Sequence, residues 1–186
     1  LTLGGAHGYL SRKYGLTIDN LLSAEVVLAN GRFVHADAQE NSDLFWALRG
    51  GGGNFGVVTA FEFHLHPVDT VMAGPLFWPL EALEDALRWY REWLPQAPED
   101  INAFFLIGQV PPAAPFPKEI QGQNICGLQW CYLGPEDTLS EVIRPARNVA
   151  EPLFEHIGPM PYPVLQSIFD DLYPSGLQWY WKGDFV

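Results

Sequence analysis

The sequence predicts an α+β fold, in which strands pair antiparallel and helices pack against one face of a sheet. Three observations lead to this prediction. A hairpin signal, Asn30-Gly31, joins two apolar runs. Apolar residues recur at helical spacing over residues 80–94. Two further strand-like runs, over residues 101–110 and 124–133, are joined by a proline-rich loop, as in an antiparallel pair.

Composition sets the outer limits on function. The chain has 186 residues, of which 48% are hydrophobic, so it can bury the core of one or two compact domains. Its formal net charge of −12 would repel a phosphate backbone, which argues against nucleic-acid binding. Its apolar stretches are interrupted before the roughly 18 residues that a membrane span needs. Since no targeting segment is recognisable, we expect a cytoplasmic location and no membrane partner.

The first part of the chain is glycine-rich and predicts short strands with one short helix. Ten of the 18 glycines fall within residues 1–56, whereas six of the seven tryptophans follow residue 74. Three strands are predicted, over residues 22–29, 32–35 and 55–66. Residues 41–43 supply side-chain oxygens for a helix N-terminus, and Gly50 ends that helix.

The remainder predicts an antiparallel sheet with helices on a single face. The expected elements are strand 72–78, helix 80–94, strands 101–110 and 124–133, helix 135–149, strand 153–157 and helix 162–172. The first helix has an apolar stripe formed by Leu80, Leu83, Leu87, Tyr90 and Leu94. We expect the stripe to cover a sheet face formed by Phe104, Leu106, Leu128 and Trp130. The other sheet face should then expose aromatic side chains and favour self-association.

One cysteine pair and one histidine pair were considered as a disulfide and as a metal site, and neither is predicted. Cys126 and Cys131 lie five apart on one predicted strand, so their side chains point to opposite faces and no disulfide is expected. His64 and His66 share one side of a strand, a spacing that can bind a metal ion. No third ligand is indicated, and solvated histidines explain the spacing, so no metal site is predicted.

Other polar and aromatic residues have structural explanations. Asp19 and Asn20 are expected to hold their loop through hydrogen bonds to the backbone. Arg49 is expected to cap a helix C-terminus. Trp179 and Trp181 share one face of an extended segment, which suits either a sheet core or a flat substrate platform, with core packing as the default.

Gly4, Gly5 and Gly8 form a candidate ligand loop. Since glycine carries no Cβ, a phosphate group or the edge of a planar ring could approach this backbone closely. An ordinary glycine turn explains the same spacing. In either case these glycines, together with Gly50 and Gly53, should include positions with positive φ or tight contacts.

Residues 51–56 match the pattern G-x-G-x-x-G, but their context excludes a nicotinamide-dinucleotide site. That site needs a strand before the glycines and a helix after them, and here the predicted order is reversed. The sequence also has no nucleophile elbow, H-E-x-x-H motif or Walker loop, so hydrolase and kinase functions lack support. No catalytic base can be named from the sequence.

Three motifs in order resemble one family. They are LGGAHGYLSRKYGLTIDN at residues 3–20, Asn30-Gly31, and DLFWALRGGGGNFGVVT at residues 43–59. Together they resemble the FAD-linked oxidases of the berberine-bridge type, whose FAD-binding domain is of the PCMH type. The resemblance is close over residues 1–68, and beyond them it depends on the order of helices and strands and on the tail Tyr180-Trp-Lys182.

The resemblance implies a domain division and a cofactor. Residues 1–70 would be the C-terminal half of the FAD-binding domain, and residues 71–186 a substrate-binding α+β domain. FAD would contact the loop of Gly4, Gly5 and Gly8, while the backbone of Gly56, Val57 and Val58 would run beside its adenosine half. The family's phosphate-binding loop would precede this chain, which is expected to be a central segment of a longer protein.

The function implied by the resemblance is oxidation of a small alcohol, sugar or amine, with hydride transfer to flavin and oxygen as a possible acceptor. The partner would be a small-molecule substrate. The alternative is an α+β binding or interaction module without catalytic activity. Flavin absorbance in the purified protein distinguishes the two.

Overall fold

The first of two antiparallel sheets follows the glycine-rich N-terminal loop. A computed structural model of the chain describes residues 1–172, 175–178 and 180. The sheet contains β1 (Leu21–Val27), β2 (Phe33–Asp37) and β3 (Val57–Phe63), in the order β2-β1-β3. β1 and β2 are joined by the predicted hairpin, in which Gly31 has a φ of 80° and the Leu28 N–H donates to the Arg32 carbonyl at 2.9 Å.

Five α-helices accompany the sheets in the described part of the chain: α1 (Ser11–Tyr14), α2 (Ser42–Leu48), α3 (Leu83–Trp93), α4 (Glu136–Arg147) and α5 (Tyr162–Gln166). α2 buries Phe45 and Leu48 against the first sheet. Its N-terminus differs from the predicted cap, because Asn41 has a φ of 47° and its side-chain amide donates to the His35 carbonyl at 2.6 Å. This contact holds the helix against β2.

The second sheet contains five antiparallel strands. They are β4 (Thr70–Pro79), β5 (Ile101–Gln109), β6 (Asn124–Tyr132), β7 (Phe154–Glu155) and β8 (Gly158–Pro161). Their order is β5-β6-β4-β7, and β8 also pairs with β4. The α+β fold class is therefore confirmed, with β8 as an additional strand.

One edge of β4 changes its partner at Gly74 and Pro75. Residues before Gly74 pair with β8, and residues after Pro75 pair with β7. Pro75 has no N–H to donate to a ladder. At Gly74 a Cβ would lie 1.8 Å from the His156 carbonyl oxygen, so only glycine lets the turning chain approach. Within the predicted strand 153–157 the structure has β7 alone, and the additional strand β8 follows at Gly158–Pro161.

α5 packs on one face of this sheet through Leu165, so the prediction that all helices lie on a single face was wrong for α5. The two long helices, α3 and α4, share the other face, as predicted. This face contributes Leu76, Trp78 and Trp130 to the largest cluster of buried residues. The predicted helix stripe was wrong at Leu87, which is 42% exposed. Ala86 is buried in its place, and Trp89 and Trp93 pack against this cluster beside Leu83 and Tyr90 of the predicted stripe.

The residues predicted to lie opposite the helices do not share one face. Leu128 pairs with Phe105, and Trp130 pairs with Ala103. Directly opposed residues of an antiparallel pair lie on the same side of the sheet, whereas neighbours along a strand alternate. Phe104 and Leu106 therefore lie on the face away from α3 and α4, which corrects the prediction.

That second face is also covered over much of its area. Tyr9 from the glycine-rich loop and Leu165 from α5 pack against Val71 and Ala73 of β4. Phe116, from the loop between β5 and β6, stacks on Phe77 with ring centroids 5.7 Å apart. The expectation of a fully open aromatic face was therefore wrong. Self-association stays a prediction.

Candidate functional site

The glycine-rich loop preceding β1 is held together by its own polar groups. The Leu16 N–H donates to Asp19 Oδ2 at 2.8 Å. The Asn20 side-chain amide donates to the carbonyls of Tyr14 and Leu16, at 2.8 and 3.0 Å. These contacts confirm the structural role predicted for Asp19 and Asn20. They close residues 14–20 into a rigid turn, on which the rest of the loop rests.

A cavity of about 330 Å³ lies between this loop, the end of β3 and α5. This volume is at the lower end of the range found for small-molecule sites, about 300–1,000 Å³. Its lining consists of Leu1, Ala6, His7, Gly8, Leu10, Ser11, Tyr14, Gly15, Thr17, Asn20, Phe63, His64, Leu65, His66, Tyr162 and Gln166. The lining thus combines aromatic rings with a few polar groups.

An aromatic pair forms one wall of the cavity. The rings of Tyr14 and His66 stack with centroids 3.9 Å apart and an interplanar angle of 12°. His64 meets His66 edge-on at 4.7 Å, which agrees with the prediction that the two histidines share one side. His66 Nε2 lies 2.7 Å from Asn20 Oδ1. The histidine therefore belongs to a packed wall, in contrast to the expectation of a solvated residue.

The hydrogen bonds around Asn20 determine which His66 nitrogen carries a proton. The Asn20 amide nitrogen faces two carbonyl oxygens, so the other amide atom must be the acceptor oxygen. This oxygen faces His66 Nε2. His66 must therefore donate from Nε2. In the neutral ring, Nδ1 is then the acceptor.

The candidate glycines differ in what their backbones require. Gly8 lines the cavity, and nothing lies within 4 Å of a Cβ built on Gly4 or Gly8. Gly5 has a φ of 105° and Gly50 a φ of 118°, values that side chains rarely adopt, whereas Gly53 has neither a positive φ nor a close neighbour. The prediction that these glycines include positive-φ positions is therefore confirmed. The open space at Gly8 permits close approach of a ligand to its backbone.

Gly56, Val57 and Val58 lie away from this cavity, at the start of β3. A Cβ on Gly56 would lie 2.5 Å from the Val27 carbonyl oxygen, so strand packing alone requires glycine there. Val58 packs against the core beneath α2, while Val57 is 69% exposed. Phe63, at the other end of β3, lines the cavity. Val57 and Phe63 lie at opposite ends of β3, about 20 Å apart, and Gly56, Val57 and Val58 do not line the cavity.

Tyr14, Tyr162 and Gln166 were not singled out from the sequence. Tyr14 is 52 positions from His66, and the pairing of β3 with β1 brings the two residues together. Tyr162 and Gln166 come from α5 and contact each other through their side chains. No sequence pattern pointed to these two residues as part of a cavity. Arg49 was predicted to cap its helix, but its Nε donates to the Ile18 carbonyl at 3.0 Å instead.

Burial keeps the phenols of Tyr9 and Tyr162 and the thiol of Cys131 protonated; all three lie on the sheet face that contacts the glycine-rich loop. Burial raises the pKa of Tyr9 to about 12 and that of Cys131 to about 12. The pKa of Tyr162 is also raised, first by burial and then by the neighbouring Cys131. Tyr162 therefore offers a neutral hydroxyl at the cavity. Both cysteines are buried and free, and they lie in clusters on opposite sheet faces, as predicted.

The expectation for Trp179 and Trp181 stays a prediction, because both residues lie outside the described part of the chain. Among the described residues, no grouping of three or more histidine, cysteine, aspartate or glutamate side chains could hold a metal ion. The helices of that part of the chain include none that is long and apolar enough to cross a membrane.

Comparisons with known proteins relate this chain to flavoenzymes. A family model described as an FAD binding domain matches residues 1–37. The FAD-linked oxidoreductase YvdP of Bacillus subtilis, itself uncharacterised, is 34% identical over 172 residues, which cover 91% of this chain and 36% of YvdP. Glucooligosaccharide oxidase of Sarocladium strictum is 55% identical over 62 residues, covering 33% of this chain and 12% of the oxidase.

Solved structures share the fold. BBE-like 1 of Physcomitrella patens has a TM-score of 0.75 at 30% identity, over 95% of this chain and 36% of its own. Xylooligosaccharide oxidase of Myceliophthora thermophila C1, in complex with xylobiose, has a TM-score of 0.71 at 29% identity, over 94% of this chain and 35% of its own. The chain spans about a third of the length of YvdP and of these two structures. It belongs to the FAD-linked oxidoreductases of the berberine-bridge type.

Proposed function

We propose that the protein carrying this chain is an FAD-dependent oxidoreductase that oxidises a small alcohol, sugar or amine. The observation that supports the proposal most directly is the cavity beside Gly8, because the family's longest motif supplies much of its lining. A bound flavin supplies the two-electron acceptor for such a reaction. The chain's own residues supply the binding surface.

The residues around the cavity fit part of a large, flat cofactor. Gly8 leaves open space along its backbone, and the stacked rings of Tyr14 and His66 form a flat wall. The volume of about 330 Å³ suffices for one section of FAD. We propose that Gly4, Gly5 and Gly8 hold the flavin end, and that Gly56, Val57 and Val58 run beside the adenosine end.

The polar groups of the cavity would orient a ligand. Tyr162 has a protonated hydroxyl, which donates as well as accepts hydrogen bonds. His66 is fixed in position by Asn20 on one side and by the Tyr14 ring on the other. Groups held in this way lose little freedom when a ligand binds, which lowers the cost of binding.

Carbohydrates are the substrate class that we propose to test first. Of the two relatives described above, the one with the higher identity over its aligned residues is named a glucooligosaccharide oxidase. One structural neighbour was solved with xylobiose.

The proposal is tested by isolating the intact protein and recording its visible spectrum. An oxidised flavin spectrum, bleached without oxygen by an oligosaccharide, an alcohol or an amine, is the expected result. A protein that contains no flavin and binds none when FAD is added would favour the non-catalytic binding module. Bleaching by an amine alone would retain the enzyme and exclude the carbohydrate assignment.

A matched pair of variants locates the cofactor. In Gly8→Val the added side chain occupies the open space at the cavity, so we expect loss of bound flavin. Gly108→Val is the control, because Gly108 also has nothing within 4 Å of its Cβ position, lies at the exposed end of β5, and does not line the cavity. Equal flavin contents in the two variants would contradict the proposed site.

A further inference from the structure

We propose that Asn102, in β5 of the second sheet, is a positioning residue for the cofactor loop. It holds the Gly8 carbonyl, and thereby sets the wall of the cavity from the other sheet. The inference rests on the proposed function, since the cavity is taken to receive the flavin end of FAD. It assigns to the second part of the chain a role in cofactor geometry.

Three hydrogen bonds hold the backbone N–H and carbonyl groups of Gly8. Its N–H donates to Ser11 Oγ at 2.8 Å. Its carbonyl oxygen accepts from the Ser11 N–H at 3.1 Å and from the Asn102 side-chain amide at 3.1 Å. Ser11 is three residues away on the same loop, whereas Asn102 is 94 residues away. Asn102 therefore supplies the long-range contact that fixes this peptide relative to the second sheet.

The side chain of Asn102 is unusual for its place in the sheet. It is only 6% exposed, and Asn is depleted in strands. It lies opposite Cys131, on the apolar face that also carries Phe104. A buried amide is costly unless it makes hydrogen bonds. The bond to Gly8 supplies such a contact and gives this amide a reason to be there.

Neighbouring contacts seat the whole loop on the same strand. His7 and Tyr9, on either side of Gly8, both meet the Phe104 ring edge-on, with centroids 5.6 and 4.9 Å away. Phe104 is two residues beyond Asn102, so the two side chains share one face of β5. Residues 7–9 thus rest on two successive side chains of that face.

Two cations of α1 extend the attachment. Arg12 donates to the Ala97 carbonyl at 2.8 Å, and Lys13 pairs with Asp100. Both partners lie just before β5. These contacts hold the loop close to the second sheet, and Asn102 is the member of the set that acts on a peptide lining the cavity.

The test replaces Asn102 by Leu in the intact protein. Leu has nearly the same shape and cannot donate, and the Gly8 carbonyl keeps its bond to Ser11, so the fold should persist. We expect FAD to bind about tenfold more weakly, as for loss of one buried hydrogen bond, with a shifted flavin spectrum. Asn124→Leu is the control, because the side chain of exposed Asn124 accepts a hydrogen bond from Gln109 at the far end of the β5–β6 pair, away from the cavity.

A structural role alone would lower thermal stability and leave the spectrum of bound flavin unchanged. An Asn102→Leu protein whose flavin spectrum and FAD affinity match those of Asn124→Leu would overturn the inference. If the unsubstituted protein holds no flavin, the proposed function fails, and hydrogen exchange then decides the positioning role. In that case the Ser11 amide should exchange faster in Asn102→Leu, and unchanged protection would contradict it.

Discussion

At the scale of single residues, His66 is the group whose state the structure determines most sharply. Its Nε2 lies 2.7 Å from Asn20 Oδ1, and the Asn20 amide nitrogen is already committed to two carbonyls. We therefore predict that the neutral His66 ring carries its proton on Nε2. Long-range ¹H–¹⁵N spectra of the imidazole distinguish the tautomers, and a proton on Nδ1 would contradict the assignment.

Two glycines of the same loop should respond differently to an added methyl group. Gly5→Ala forces a side chain into a φ of 105°, so we expect a loss of about 1–3 kcal/mol in the free energy of unfolding. Gly8→Ala has an ordinary φ and open space, so its stability should change by no more than about 0.5 kcal/mol. Urea titrations of the two variants measure both values. Similar losses would show that the loop adopts another conformation.

The two cysteines should be unreactive while the protein is folded. Burial raises the pKa of Cys131 to about 12 and also raises that of Cys126. The thiolate is the reactive form, the raised pKa values keep both thiols protonated, and both side chains are buried away from solvent. We expect no reaction with a thiol reagent at pH 8 and reaction of both thiols in denaturant. Rapid labelling of the native protein would contradict this burial.

At the scale of elements, α3 shows which residues attach a helix to its sheet. Trp93 stacks on Trp89 at 5.1 Å and meets Trp130 edge-on at 5.4 Å. We expect Trp93→Ala to destabilise the protein by about 2–3 kcal/mol, somewhat less than for a fully buried tryptophan. Exposed Leu87 is the matched control, and Leu87→Ala should cost no more than about 0.5 kcal/mol. Thermal or urea unfolding compares the two variants. Equal losses of stability would show that Leu87 also packs against the sheet, as the sequence predicted.

The elements also show where sequence patterns lose information. The spacing of apolar residues predicted each long helix and strand of the second sheet, because burial on one side leaves a period in the sequence. The spacing placed Leu87 on the buried side of α3 and Phe104 on the wrong face of β5. Both faces of β5 are largely apolar and covered, so the spacing could not distinguish them. Alternation identifies a face only when the other face is polar.

At the scale of the whole molecule, we predict that the 186-residue chain by itself binds FAD no more tightly than about 1 μM. It spans about a third of its relatives, so it offers only part of the contacts that offset the cost of ordering a large ligand. Titration calorimetry with FAD measures the affinity. Submicromolar binding would show that the loop and cavity suffice without further protein.

Sequence patterns alone predicted the α+β class, the hairpin at Asn30-Gly31, the opposite orientation of the two thiols and, through three ordered motifs, the resemblance to FAD-linked oxidases. These features are local or are carried by unbroken stretches of chain. Only the tertiary structure showed that His66 stacks on Tyr14 and that Asn102 reaches the Gly8 carbonyl. Such contacts join residues far apart in the chain. They depend on strand register and on which sheet face is covered, and no local pattern of residues records either one.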